Sequence, residues 1–224
     1  MAERITFQTV DGVIIVGDWY PAPTVLGAVI LLHAMPETRA VWRPLQQELA
    51  KASIASLAID LRGHGESTQD TDGAVLDAAE FTDEEHQVTS LDVSAAVAWV
   101  RSRQLELGQI VLGGASIGAN LALQELAEEP ELAGAFLLSP SADYHGVETI
   151  NSLQQLSPQQ ALYVVSSSED VSSYADSQRI VDEAPVEQKL FVPYKNAGHG
   201  TELFMTDKTL VGKIAIWAST LIRD

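Results

Sequence analysis

Residues 111–120 read VLGGASIGAN, and the fold of the chain turns on what Ser116 does between Gly114 and Gly118. Such a run can be a glycine-rich phosphate loop, a plain strand-to-helix turn, or a strained turn that presents a reactive serine. A dinucleotide-binding turn needs G-x-G-x-x-G after a strand, because its second glycine lets the backbone approach a pyrophosphate. In the frame that begins at Gly113 that position is Ala115, and the next apolar run, AGAFLLSP, ends without an acidic residue to hold a ribose. A P-loop fails as well, since no Gly-Lys-Ser/Thr follows. The third reading fits its neighbours. QIVLG before the turn is a buried-strand pattern, NLALQELAEE after it is a good helix former, and small residues at Gly114 and Gly118 permit a tight turn. The positive end of that helix would face Ser116.

Working outward, ITFQTV (5–10) and VIIVGDWY (13–20) flank Asp11-Gly12, which predicts an antiparallel hairpin. After Pro21-Ala22-Pro23 the texture changes to apolar runs: AVILLH, IASLAID, QIVLGG, AGAFLLS, ALYVVS and KLFVPY. Nearly continuous apolar runs of this length suit strands covered on both faces, as in a parallel sheet. The segments between them carry helical spacing. Val88, Leu91, Ala95, Ala98 and Trp99 share one face, as do Leu210, Ile214, Trp217, Ala218 and Leu221. The expected fold is α/β: one domain over residues 1–224, with roughly eight strands in a mostly parallel sheet behind an antiparallel hairpin. The least patterned stretches are the acidic 66–84 and the segment from Pro140 to Pro158.

Composition narrows the function classes. The chain has 224 residues, no Cys and a formal charge of −18. A cysteine nucleophile, thiolate metal sites and disulfides are excluded, and the charge disfavours nucleic acid and anionic membranes as partners. The N-terminus MAERITFQTVDG has no apolar run of the length a secretory signal needs and no stretch reaches membrane-spanning length, so a soluble, cytoplasmic protein without metal or cofactor is expected.

A serine nucleophile needs a base, an acid that orients the base, and donors for an oxyanion. In a parallel sheet these groups collect at the C-terminal ends of strands. His199, in NAGHGTELF, follows the last strand between small residues and is the expected base. Asp170 follows ALYVVSSS, one crossover earlier, and is preferred as the acid over Glu169, Asp143 and Asp176. His86, at a helix start, is expected on the surface. The run LLHAMP turns sharply after its strand, which would aim the Met35 N–H at the site beside the Ile117 N–H of the elbow itself. His33 would then be a structural turn residue.

Four ordered blocks, HAMP (33–36), DLRGHGES (60–67), GASIG (114–118) and AGHG (197–200), make the chain resemble an α/β-hydrolase. The order Ser116, Asp170, His199 matches that family. The resemblance implies structural roles for Arg62 and His64. Within the family, LSPSADYHGV (138–147) and the short insertions resemble the dienelactone-hydrolase-like branch, although dienelactone hydrolases proper use a cysteine. Haloalkane dehalogenases and epoxide hydrolases carry Asp where this chain has Ser116. The implied activity is ester hydrolysis through an acyl-enzyme, with thioesterase, peptidase-like or perhydrolase chemistry, or a non-catalytic binding module, as alternatives. About twenty residues between the sixth and seventh strands leave no room for a large cap, so short-chain, soluble esters are the expected substrates. Trp42, Tyr144, His145 and Phe204 are candidate pocket walls.

Overall fold

The computed structural model describes residues 2–222. The hairpin forms as expected: β1 (Glu3–Gln8) and β2 (Val13–Tyr20) pair antiparallel from Glu3 opposite Trp19 to Gln8 opposite Ile14. Gly12, at φ +88°, closes the turn by donating its N–H to the Thr9 carbonyl, a left-handed geometry that costs glycine little. Six longer strands follow in the main sheet, besides a two-residue strand against β2: β3 (Gly27–Leu32), β4 (Ile54–Ile59), β5 (Ile110–Ala115), β6 (Gly134–Leu138), β7 (Ala161–Ser167) and β8 (Gln188–Tyr194). Their order across the sheet is β1-β2-β4-β3-β5-β6-β7-β8. The hairpin pairs antiparallel with β4, and every later pairing is parallel.

The apolar runs became the central strands because both their faces are covered. Along β3, Ala28, Ile30 and Leu32 join one core cluster while Val29 and Leu31 join the other. The first layer holds α2 (Ser90–Arg101), α3 (Ile117–Glu128) and α4 (Val171–Glu183); the second holds α1 (Arg43–Lys51) and α5 (Leu210–Ile222). The α5 face follows its spacing, with Leu210, Ile214 and Ala218 buried.

The α2 face differs from expectation. Its buried residues are Val93, Ala96, Val97 and Val100, whereas Ala98 is exposed and Val88, outside the helix, is 41% exposed. Two apolar stripes overlap in this helix, and a charge decides between them. Asp92 is fully buried, accepting the Arg62 backbone N–H at 2.7 Å and its Nε at 2.8 Å, which turns the 93/96/97/100 stripe inward. The other stripe is left bordering an open groove of about 400 Å³ against Phe7, where Trp99 packs on Phe7 and Trp19.

The weakly patterned stretches are short pieces pinned by side chains. In 66–84 a two-residue strand, Gln69–Asp70, pairs with β2, and a capped helix begins at Asp83 behind Thr82. In the segment after β6, a hairpin pairs Asp143–Tyr144 with Val147–Glu148. Asn120 of α3 fastens it, donating to the Val147 carbonyl (2.8 Å) and the Ser141 hydroxyl (3.2 Å) and accepting the Ser141 N–H (3.0 Å). Among the described residues no helix is long and apolar enough to cross a membrane.

Candidate active site

Every residue from Ile110 to Leu123 is buried except Ser116. The reason is the turn. Ser116 adopts φ +53°, ψ −122°, and its N–H donates to the Leu138 carbonyl of β6 at 2.9 Å, so the chain reverses from β5 into α3 around one half-buried corner. An L-residue held in this region is strained, and such strain persists only where its surroundings over-determine it. The glycines do so by close approach. A Cβ on Gly114 would lie 2.0 Å from the Gly118 carbonyl oxygen, and one on Gly118 would lie 2.4 Å from the Leu32 oxygen and 2.6 Å from that of His33. The start of α3 is therefore pressed against the end of β3, and Ile117 heads the helix beside the turn that follows β3.

That turn is held by His33. Its fully buried imidazole donates from Nδ1 to the Ala34 carbonyl at 2.8 Å and accepts the Leu61 N–H at Nε2 at 3.0 Å; a carbonyl can only accept and an N–H only donate, so the neutral tautomer is fixed. Burial pushes its pKa down to about 4, with the neighbouring His64 acting in the same direction. Glu37 adds a second tie, accepting the Ala34 N–H at 3.3 Å and the Thr201 hydroxyl from the loop that carries His199. The Met35 N–H makes no hydrogen bond among the described residues.

His199 lies beyond β8 and Asp170 beyond β7, and the two meet: Nδ1 of His199 is 2.6 Å from Oδ2 of Asp170. The His199 side chain is 43% exposed and that of Asp170 18%, so the pair faces an open surface. Its loop reaches the elbow. Gly200 donates its N–H to the Ser139 hydroxyl at 3.0 Å, and a Cβ on it would sit 3.4 Å from the Cβ of Ala115 and 3.9 Å from that of Ala34. Segments bearing Ser116, Met35 and His199 thus converge at the C-terminal end of the sheet.

The rival acids are engaged elsewhere. Asp143 accepts the Gly146 N–H, Asp176 accepts the Ala142 N–H, and Glu169 accepts backbone N–H groups of Asn196 and Gly198. Among the described residues no group of His, Asp and Glu is arranged to hold a metal ion.

The expected pocket walls divide. Trp42 is fully buried, edge-on to Phe136 (5.9 Å) and Phe204 (6.0 Å); it is a core residue, because the turn after β3 folds it under the sheet face that α1 and α5 cover. Phe204 packs against that same cluster. Tyr144, 38% exposed, and His145 sit at the tip of the 143–148 hairpin, their rings 4.6 Å apart. His86 is corrected more sharply. It is 3% exposed rather than on the surface, because Phe81 and the His145 ring (4.5 Å) cover it. Sequence spacing gave no sign of that contact, since it joins positions fifty-nine residues apart in the chain. Nearer the turn after β3, a cavity of about 290 Å³ is bounded by Met35, Pro36, His64 and Asp77.

Comparison with known proteins agrees with the fold. A family model described as alpha/beta hydrolase fold matches residues 27–171, and the chain belongs to that family. Solved structures share its fold. An esterase of Pyrococcus furiosus superposes with a TM-score of 0.80 at 18% identity, covering 99% of this chain and 93% of its own. The alpha/beta hydrolase GrgF from Penicillium gives 0.82 at 17%, covering both chains completely. The esterase domain of a Rhodothermus marinus protein gives 0.74 at 14%, with 99% of each chain covered. A comparison with curated protein sequences gives no match. These matches define the family, not a branch within it.

Proposed function

We propose that the protein is a serine carboxylesterase in which Ser116 is the nucleophile, His199 the general base and Asp170 the acid that orients it. The observation that carries the reading is the 2.6 Å contact between His199 Nδ1 and Asp170 Oδ2, in a loop packed against the strained turn of Ser116. An imidazole that donates from Nδ1 to a carboxylate keeps Nε2 free to take a proton, and the carboxylate stabilises the imidazolium that follows.

In the reaction, Ser116 Oγ attacks the ester carbonyl carbon while its proton passes to His199 Nε2. The tetrahedral oxyanion is met by the N–H groups of Met35 and Ile117, an arrangement in which each donor is worth about 3–4 kcal/mol of transition-state stabilisation. Collapse returns the proton to the departing alcohol and leaves Ser116 acylated. A water, deprotonated in turn by His199, then releases the acid and restores the serine. The exposed His199 and the small hairpin in place of a cap support short-chain, soluble esters, with Tyr144 and His145 near the entrance.

Ser116→Ala and His199→Ala are each expected to lower hydrolysis of a chromogenic acetate ester by at least about 10³-fold, and a fluorophosphonate probe should label the wild type and not Ser116→Ala. Hydrolysis that survives either change near its original rate overturns the assignment. Across acetate, butyrate and palmitate esters, preference for palmitate would contradict the short-chain reading.

A further inference from the structure

The loop that presents His199 has an unusual backbone. Five successive N–H groups, from Asn196 to Gly200, each meet a side-chain acceptor. Asn196 donates to Glu169 Oε2 (2.7 Å), Ala197 to Ser167 Oγ (3.0 Å), Gly198 to Glu169 Oε1 (2.8 Å), His199 to Glu202 Oε2 (2.9 Å) and Gly200 to Ser139 Oγ (3.0 Å). The first three go to two residues, Ser167 and Glu169, which are also joined to each other, the Ser167 hydroxyl donating to Glu169 Oε2. Ser167 is the last residue of β7 and fully buried, so the pair is anchored in the sheet.

Glu169 is the chain neighbour of Asp170. One short turn therefore supplies two carboxylates to one loop: Asp170 takes the His199 ring and Glu169 takes the backbone on its N-terminal side. Asn196 sits at φ +50°, and without these acceptors nothing among the described residues would hold the N–H groups of 196–198 in that conformation. Because His199 is nearly half exposed, packing cannot fix it; hydrogen bonds must.

Resting on the esterase reading above, we infer that Ser167 and Glu169 form a positioning clamp that sets where the His199 imidazole stands relative to Ser116, acting through the backbone of residues 196–198 and not on the reacting atoms. The carboxylate is held in its charged form: the Ser167 hydroxyl first, then the Gly198 N–H, lower its pKa to about 2. Misplacement of a catalytic group by an ångström costs on the order of 10²-fold in rate, whereas the exposed Glu169 adds little to global stability.

The test compares Glu169→Ala and Glu169→Gln with the wild type. For Glu169→Ala, kcat on a short ester should fall about 10- to 100-fold with KM within about twofold, since KM reports substrate contacts that the clamp does not touch. Glu169→Gln keeps one oxygen acceptor and should recover part of the loss. Independently of activity, amide hydrogen exchange at 196–198 should accelerate in Glu169→Ala, and the downfield proton resonance of the His199–Asp170 hydrogen bond should broaden. Unchanged exchange and an unchanged resonance overturn the clamp. So does a kcat within twofold of wild type in an enzyme whose Ser116→Ala variant is dead. A wild type that hydrolyses no ester would instead refute the esterase reading, and the exchange and resonance measurements would still decide the clamp.

Discussion

His33 ties the turn after β3 to the loop after β4, and its contribution to stability should depend on pH. In the folded protein the ring is neutral, donating to Ala34 and accepting from Leu61. Protonation would put a second N–H against the Leu61 N–H in a site from which water is excluded. Burial lowers its pKa from 6.5 to about 4. With the folded value below the unfolded one, the unfolded chain binds the proton first, so the contribution is complete above pH 6.5 and is lost as pH falls toward 4. At about 1.4 kcal/mol for each pH unit separating the two values, the loss is about 3 kcal/mol. The comparison is with His33→Gln, whose amide oxygen can still accept from Leu61 but cannot titrate. At pH 7.5 the variant should be less stable by about 1–3 kcal/mol, because a buried carbonyl loses its donor. Urea unfolding of both proteins from pH 7.5 to 4 should show this gap closing or reversing as the wild type alone pays for protonation. Asp92, raised to about 6, and Glu125, raised to about 7, both mainly by burial, push stability the other way; they are common to both proteins and cancel in the difference. Parallel profiles over this range would refute the reasoning.

Two further outcomes are expected. Glu125 is buried, its carboxylate accepting the Ser94 hydroxyl at 2.8 Å and no other group among the described residues, and its folded pKa lies above the unfolded one, so its ionisation destabilises the fold as pH rises from 4.5 through about 7. Glu125→Gln keeps the acceptor, so it should be neutral near pH 4 and stabilising by up to about 3 kcal/mol above pH 7, read from thermal melts at the two pH values. Gly118→Ala places a methyl within 2.6 Å of two backbone oxygens; it should cost about 1–3 kcal/mol in urea unfolding and lose ester hydrolysis, because relief of the clash must move the first turn of α3 away from β3.

What was legible in the sequence was local or topological. The elbow could be read because strand, tight turn and helix are contiguous, and the meeting of Asp170 with His199 followed from the rule that loops gather at one end of a parallel sheet. Trp42, His86 and the α2 face were not legible, for one shared reason: each depends on a partner far away in the chain. Trp42 is buried by Phe136 and Phe204, His86 by the tip of a hairpin, and the face of α2 by an ion pair from Asp92 to Arg62. Helical spacing reports that a stripe is apolar, but not which of two stripes a buried charge will turn inward.

The block that most sharply marks the family, DLRGHGES, illustrates why a chain can declare its fold while leaving its substrate open. The fully buried Asp60 accepts the N–H groups of Arg39 (2.8 Å) and Glu66 (2.9 Å), and its carboxylate leaves no room for a Cβ on Gly65. Arg62 joins Asp92 to Asp11 of the first hairpin, His64 donates to the Arg62 carbonyl, and the Ser67 hydroxyl donates to the Asp60 carbonyl. These contacts knit the loop after β4 to its neighbours and direct none of those groups at Ser116. Buried ion pairs of this kind are costly to break from one side only, so the paired residues of the block constrain one another whatever substrate the chain takes. On the proposed reading, selectivity is left to groups outside the buried ion pairs: Tyr144 and His145 at the exposed hairpin tip, where His145 is paired with the exposed Asp83, and Met35 beside its cavity. Changes there would alter the substrate while the frame around His33, Asp60 and Gly118 holds the turn after β3 in place.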